Sequence, residues 1–335
     1  MIDAVRLHGV ADLRYESVPS PPAPAQAEVT LAVSVAGICG SDLHNYRTGA
    51  WISRAPSVAG HEFTGTVMQV GADVAHVAAG DRVIVDSRWT CGTCAACRAG
   101  VGQVCEKLGF LGEIIDGGFA LQVTLPARNV LKAPAGVADR HLAMAEPLAV
   151  ALHALNLMAL PAGAELVVTG CGPIGALVTL LATRAGHPVR VLDRNEARSA
   201  VVARATGARV TDLDALASRP YRYAIDTTGN AHVITRLVAH IGGASRLGLV
   251  GIGAAAQIID PVHLVEREIA LIGCHAFGDE LATISDMLPA LAPHLDPFIA
   301  DTISLAQVPA AYDRLLAGDA DGIKTLIQIG EDHGH

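Results

Sequence analysis

Apolar and polar residues change rhythm once along this chain, and the change divides it. From residue 27 to about 132 the apolar positions come in short runs broken by glycine, at 29–35, 65–70, 82–86 and 121–125. Runs of that length bounded by turn residues read as strands, so this half is expected to be all β with long loops. From about residue 165 apolar runs alternate with longer helical patterns. Strands are expected at 166–169, 189–192, 223–226, 246–250 and 269–273, and helices at 174–185, 196–206 and 234–240. Strand and helix in alternation predict an α/β unit with a doubly wound parallel sheet. From about residue 297 short irregular elements resume, a segment expected to rejoin the first half.

A chain of 335 residues exceeds the size at which one hydrophobic core usually stops growing, which fits two domains. Its hydrophobic content is mainly aliphatic, with 4% aromatic residues, as in ordinary folded α/β proteins. No apolar run is long enough to span a bilayer, and residues 1–13 lack the basic stretch and apolar core of a secretory signal. No membrane is therefore expected as a partner, and the cytoplasm is the expected location. A net charge of −9 with scattered Lys and Arg disfavours nucleic acid. Four of the seven cysteines crowd between positions 91 and 105, which in a reducing compartment reads as metal binding rather than disulfides. The polar end Asp332-His333-Gly334-His335 has two histidines, too few for a metal site.

Gly170-Cys171-Gly172-Pro173-Ile174-Gly175 follows an expected strand and opens an expected helix. In that context G-x-G-x-x-G marks a dinucleotide site. The glycines permit a tight turn and close approach to pyrophosphate, whose charge meets the free amides of the helix N-terminus. Asp193 follows the next strand, where a carboxylate accepts from the adenosine ribose hydroxyls and repels a ribose phosphate. NAD is therefore preferred, while Arg194 and Arg198 leave NADP possible. Thr228, Val250 and Ile252 stand at the ends of later strands and are candidates to line the nicotinamide half.

Cys91-x2-Cys94-x2-Cys97-x7-Cys105 offers four thiolates, which close a tetrahedral zinc site and leave no position for substrate, so this site reads as structural. A second set is dispersed: Cys39 with Ser41, Asp42 and His44 after it, then His61-Glu62, then Glu146. One thiolate, one imidazole and one or two carboxylates would leave zinc an open position for water or an alcohol oxygen. Spacing alone does not join them, and His61 also reads as a core histidine and Glu146 as an acid at a helix start.

Taken together, these residues resemble the zinc-containing medium-chain dehydrogenases over essentially the whole chain. Gly60-His61-Glu62-x2-Gly65-x5-Gly71-x2-Val74 is similar to that family's zinc signature, and the cysteine run to its structural-zinc spacing. The stretches 37–44, 116–119 and 146–150 look closest to the sorbitol and idonate branch, the polyol dehydrogenases. The resemblance implies a GroES-like β-rich catalytic domain over 1–148, a Rossmann NAD-binding domain over 149–294, and a segment 295–335 that returns to the catalytic domain. It implies Cys39, His61 and Glu62 as ligands of a catalytic zinc, with Glu146 either binding zinc or holding its water. One catalytic and one structural zinc per chain follow, as does a homodimer or homotetramer built through the NAD-binding domains. Asp42 would orient His61, and Ser41 and His44 would relay the alcohol proton.

The reaction implied is hydride transfer between a small secondary alcohol, or its ketone in reverse, and NAD. In the polyol branch an arginine and an aromatic residue after the last nucleotide-domain strand hold substrate hydroxyls. Here Gly273-Cys274-His275-Ala276-Phe277 aligns with that segment, Ala276 stands at the arginine position, and loop 46–55 is shorter. The expected substrate is therefore a cyclic or deoxygenated polyol or an amino alcohol, contacted by Tyr46, Trp51, His275 and Phe277. Other readings are a threonine dehydrogenase-like enzyme, a sugar-phosphate dehydrogenase drawing on Arg47, Arg54 and Arg98, and a zinc-stabilised scaffold without chemistry. Against the scaffold stand the open ligand set and the Ser41/His44 pair.

Overall fold

The strand Glu28–Gly37 organises the first half because nearly every one of its side chains is buried, on both faces of the sheet. A strand covered on both sides shows as a continuous apolar run, which is why 29–35 is legible. It pairs antiparallel with Glu62–Val70, with Gln122–Pro126 and with Lys324–Gln328. The sheet then runs in the order Val130–Lys132, Arg82–Val85, Glu62–Val70, Glu28–Gly37, Lys324–Gln328, Ile299–Ser304. A smaller sheet, Asp12–Val18, Ile2–Gly9 and Ser57–Val58, packs into the same core with Val5, Leu31, Phe63, Phe119 and Tyr312. The computed structural model describes residues 1–253, 259–318 and 322–331; the polar end 332–335 lies outside them.

The chain divides into two units, Met1–Glu146 with Leu281 onward, and Pro147–Glu280. The return to the first unit thus starts at Leu281, ahead of the position 295 read from the sequence. The helix Glu280–Leu291 buries Leu281, Ile284, Leu288 and Leu291. Directly after a strand, such an apolar face looks like one more helix of the alternating pattern, and only its packing partner decides which unit owns it.

In the second unit six parallel strands lie in the order Arg209–Val210, Val189–Leu192, Leu166–Thr169, Tyr223–Asp226, Ser245–Leu249, Ile269–Gly273. The chain works outward from Leu166–Thr169 in one direction and then from Tyr223–Asp226 in the other. The reversal between those two strands is the switch point at which doubly wound sheets open a crevice for ligands. Arg209–Val210 escapes sequence reading because it is two residues long and exposed. Among the described residues no helix is long and apolar enough to cross a membrane.

Candidate metal and dinucleotide sites

Strand pairing sets Gly37 opposite Glu62, and two residues past that strand's end the chain turns at Cys39 into the helix Gly40–Thr48. Asp42 fixes this turn: one of its oxygens accepts the Cys39 amide N–H at 2.9 Å. The other lies 3.2 Å from His61 Nδ1, which leaves Nε2 as the ring nitrogen open to a metal. One ligand atom each from Cys39, His61 and Glu62 lies within 4.8 Å of the others. Burial lowers the His61 pKa, but the charges of Asp42 and Cys39 outweigh it and hold the imidazole well above its usual range. The surroundings thus favour positive charge at this ring, and a dication held by thiolate, imidazole and carboxylate satisfies that demand.

Glu62 also carries a partner that the sequence did not reveal. Lys324 Nζ bonds to its Oε2 and donates to the Ile38 carbonyl at 2.9 Å, with both side chains buried. A Cβ on Gly37 would come within 2.6 Å of that oxygen and 2.7 Å of Lys324 Cε, so only glycine leaves room for the pair. Glu62 keeps its second oxygen for a metal. Lys324→Met is expected to leave the carboxylate without its buried counterion and to lower stability by about 3 kcal/mol, read from urea unfolding of the metal-depleted protein. Unchanged stability would mean that the ion pair contributes nothing.

Glu146 opens the helix Ala145–Met158 and lies near this group without joining its tight set. Its Oε1 accepts from Ser87 Oγ at 2.8 Å, and burial, reinforced by the Glu62 charge and opposed by His61, pushes its carboxyl up to about 7. Ser41 and His44 stand three residues apart on one face of their helix. The His44 ring lies 4.8 Å from that of Trp51, whose amide donates to Asn45 Oδ1 at 2.9 Å. Tyr46, two residues beyond His44, faces nearly the opposite way. Its hydroxyl donates to Asp313 at 3.3 Å and to the Ala11 carbonyl at 3.4 Å, and its ring meets Tyr312 edge-on. Arg54 pairs with Asp116 and Arg98 donates to the Thr93 carbonyl, both at exposed positions.

The sulfurs of Cys91, Cys94, Cys97 and Cys105 converge within 4.8 Å of one another. Sulfur separations are 3.5 Å for Cys91–Cys105, 3.8 Å for Cys94–Cys105 and 3.9 Å for Cys91–Cys97. A tetrahedron with zinc–sulfur bonds of about 2.3 Å has edges of about 3.8 Å. The amides of Cys91, Cys94, Cys97 and Lys107 point at these sulfurs at 3.3–3.5 Å. Amide and hydroxyl bonds from Thr93, with the Cys94 amide, lower the Cys91 thiol to about 5. The Cys97 and Glu106 amides lower Cys94 as well, whereas burial and its thiol neighbours push Cys97 up to about 12, so these donors favour the thiolate, the form that binds metal, at Cys91 and Cys94.

In the second unit Gly170 takes a left-handed backbone, and Gly175 sits so close that a Cβ would reach 1.8 Å from the Gly170 carbonyl. Among the described residues, and apart from its chain neighbours, no atom lies within 4 Å of a Cβ built on Gly172, at the N-cap of the helix Pro173–Arg184. The Asp193 carboxylate accepts from the Cys171 amide at 2.6 Å and the Asn195 amide at 2.8 Å, which ties it to the glycine loop. Arg194 is exposed and Arg198 half-buried. Fully buried Asp226, at the end of its strand, bonds Thr169 Oγ1 at 2.6 Å, Thr228 Oγ1 at 2.7 Å and the Gly229 amide at 2.8 Å. Its backbone carbonyl accepts the Val250 amide at 2.9 Å, and Ile252 beyond it is 55% exposed. His275 is exposed, whereas Phe277 is fully buried.

Residues 25–135 match the alcohol dehydrogenase GroES-like domain. The chain is 32% identical over 320 residues to 2-dehydro-3-deoxy-L-galactonate 5-dehydrogenase of Pseudoalteromonas atlantica, covering 91% of this chain and 93% of that one. Among solved structures it is similar to an alcohol dehydrogenase of Escherichia coli CFT073 complexed with NADH, at 27% identity and a TM-score of 0.89 over 98% of this chain and 99% of that one. A dehydrogenase of Sinorhizobium meliloti 1021 bound to NADP is similar at 27% identity and a TM-score of 0.90, with the same coverage.

Proposed function

Because this chain belongs to the zinc-dependent medium-chain dehydrogenase/reductase family, we propose that it moves hydride between a secondary alcohol and NAD at a zinc held by Cys39, His61 and Glu62. The observation that carries this reading is the buried convergence of those three ligand atoms, with Asp42 on the far nitrogen of His61. Zinc there supplies a Lewis acid that lowers the pKa of the substrate hydroxyl. Ser41 takes the hydroxyl proton, and His44, one turn along the helix and braced by Trp51, passes it towards solvent. Glu146 orients the hydroxyl or a water from its place beside Ser87. Cys91, Cys94, Cys97 and Cys105 hold a second zinc that shapes the first unit.

Asp193 favours NAD over NADP, since one of its oxygens is tied to the glycine loop through the Cys171 amide and the other accepts the Asn195 amide, so that a ribose phosphate would meet their charge. Dimerisation through the second unit has support in Ile269–Gly273, an edge strand flanked by the exposed Val262 and Val265. The substrate reading keeps Trp51 and His275, and the small side chain of Ala276 fits a sparsely hydroxylated polyol or an amino alcohol.

The test joins zinc analysis to a panel of sorbitol, 2,3-butanediol, L-galactonate and L-threonine with NAD and NADP. Two zinc ions per chain and NAD reduction with at least one alcohol are expected; one zinc and no turnover would overturn the proposal. Asp42→Asn keeps the shape but loses the charge on His61, and a 10- to 100-fold fall in zinc affinity or activity is expected. Competitive titration with a chelator reads the affinity.

A further inference from the structure

One partly buried ionic cluster has no part in the chemistry above. Glu280 Oε1 meets His153 Nδ1 at 2.9 Å and accepts from Asn156 Nδ2 at 3.1 Å, while Oε2 accepts the Gly278 amide at 2.6 Å. His153 is buried, and both it and Asn156 lie on the helix Ala145–Met158. Burial alone would raise the Glu280 pKa, but its partners outweigh that and hold it below the usual carboxylate range.

What this carboxylate grips is the loop that leaves the last strand of the sheet. The Cys274 amide bonds the Leu249 carbonyl at 2.9 Å, Phe277 is fully buried, and Gly278 is held by Glu280. Between these anchors Ala276 has φ 49°, a left-handed backbone that an L-residue adopts only at a penalty of about 1 kcal/mol. Such a conformation persists where the surroundings over-determine it, and the loop lies beyond the carboxyl edge of a parallel sheet, where ligands bind.

We infer that Glu280 is a positioning residue: through His153, Asn156 and the Gly278 amide it holds the 274–278 loop in its strained form, with His275 and Ala276 set to meet the alcohol. This rests on the dehydrogenase reading. The carboxylate touches neither substrate nor cofactor and acts through the loop. Its effect therefore falls on recognition of the alcohol rather than on the zinc sites, which lie in the other unit.

The experiment uses the zinc-loaded full chain and the alcohol of the panel above that is turned over best. Glu280→Ala is expected to raise KM for that alcohol about tenfold while kcat falls less than threefold and the zinc content stays unchanged. Glu280→Gln, which retains one acceptor for Gly278, should fall between and serves if the alanine variant is insoluble. Ala276→Gly removes the left-handed penalty. In the Glu280→Ala background it should recover at least threefold in KM, a coupling that general destabilisation does not produce. Unchanged KM in an active enzyme, or effects of the two substitutions that simply multiply, would overturn the inference and leave the dehydrogenase reading standing. A wild-type protein inactive on every alcohol would overturn both.

Discussion

Cys97→Ser is expected to yield a chain that does not hold its first unit together. Structural zinc contributes on the order of 10 kcal/mol to folding, against a total stability of about 5–15 kcal/mol for a typical domain. The lobe from Cys91 to Cys105 has little else to support it. Its helix Ala95–Arg98 has four residues and buries none, and Val101 and Val104 are exposed. Poor solubility, loss of one zinc per chain and a collapse of the thermal transition should appear together. A soluble variant with an unchanged melting temperature would show that the four sulfurs converge without a metal.

Cys39→Ser should behave in the opposite way. Cys39 caps a helix whose start is also fixed by Asp42, and its neighbours Gly37 and Ile38 are held by strand pairing and by Lys324. The fold therefore has other supports at this point, while the open zinc site loses its thiolate. Activity is expected to fall on the order of a thousandfold, the equivalent of about 4 kcal/mol of Lewis-acid stabilisation, with the melting temperature within a few degrees of wild type. If both serine variants unfold alike, the division into catalytic and structural metal sites is wrong.

The sequence was most informative where one residue type repeats at fixed spacing or where burial covers both faces of a strand. The cysteine run, the glycine loop at 170–175 and the strands of the parallel sheet are of this kind. It was silent where a polar residue gains its role from a distant partner. Lys324 has no local mark that separates it from any lysine at the start of a strand, yet it lies against Glu62, 262 positions away. Asp226 looks like a turn residue until its carboxylate is seen to gather Thr169, Thr228 and Gly229. The helix Gly40–Thr48, which carries Ser41 and His44, was missed because Asn45 is its only buried residue, so no apolar stripe betrays it. Tyr46 and Phe277 are assigned to the substrate on residue type, which does not show that the Tyr46 hydroxyl reaches Asp313 or that Phe277 is fully buried.

Lys324–Gln328 lies between Glu28–Gly37 and Ile299–Ser304 in the sheet that carries the metal ligands. A ribosome releases residues in order, so Cys39, His61 and Glu62 are all exposed long before their neighbouring strand is made. Until that strand arrives, residues 35–37 at the end of Glu28–Gly37 lack their partner and Glu62 lacks its counterion. The first half of the chain must therefore wait, partly assembled and unable to close its sheet, while the whole second unit is synthesised and folds.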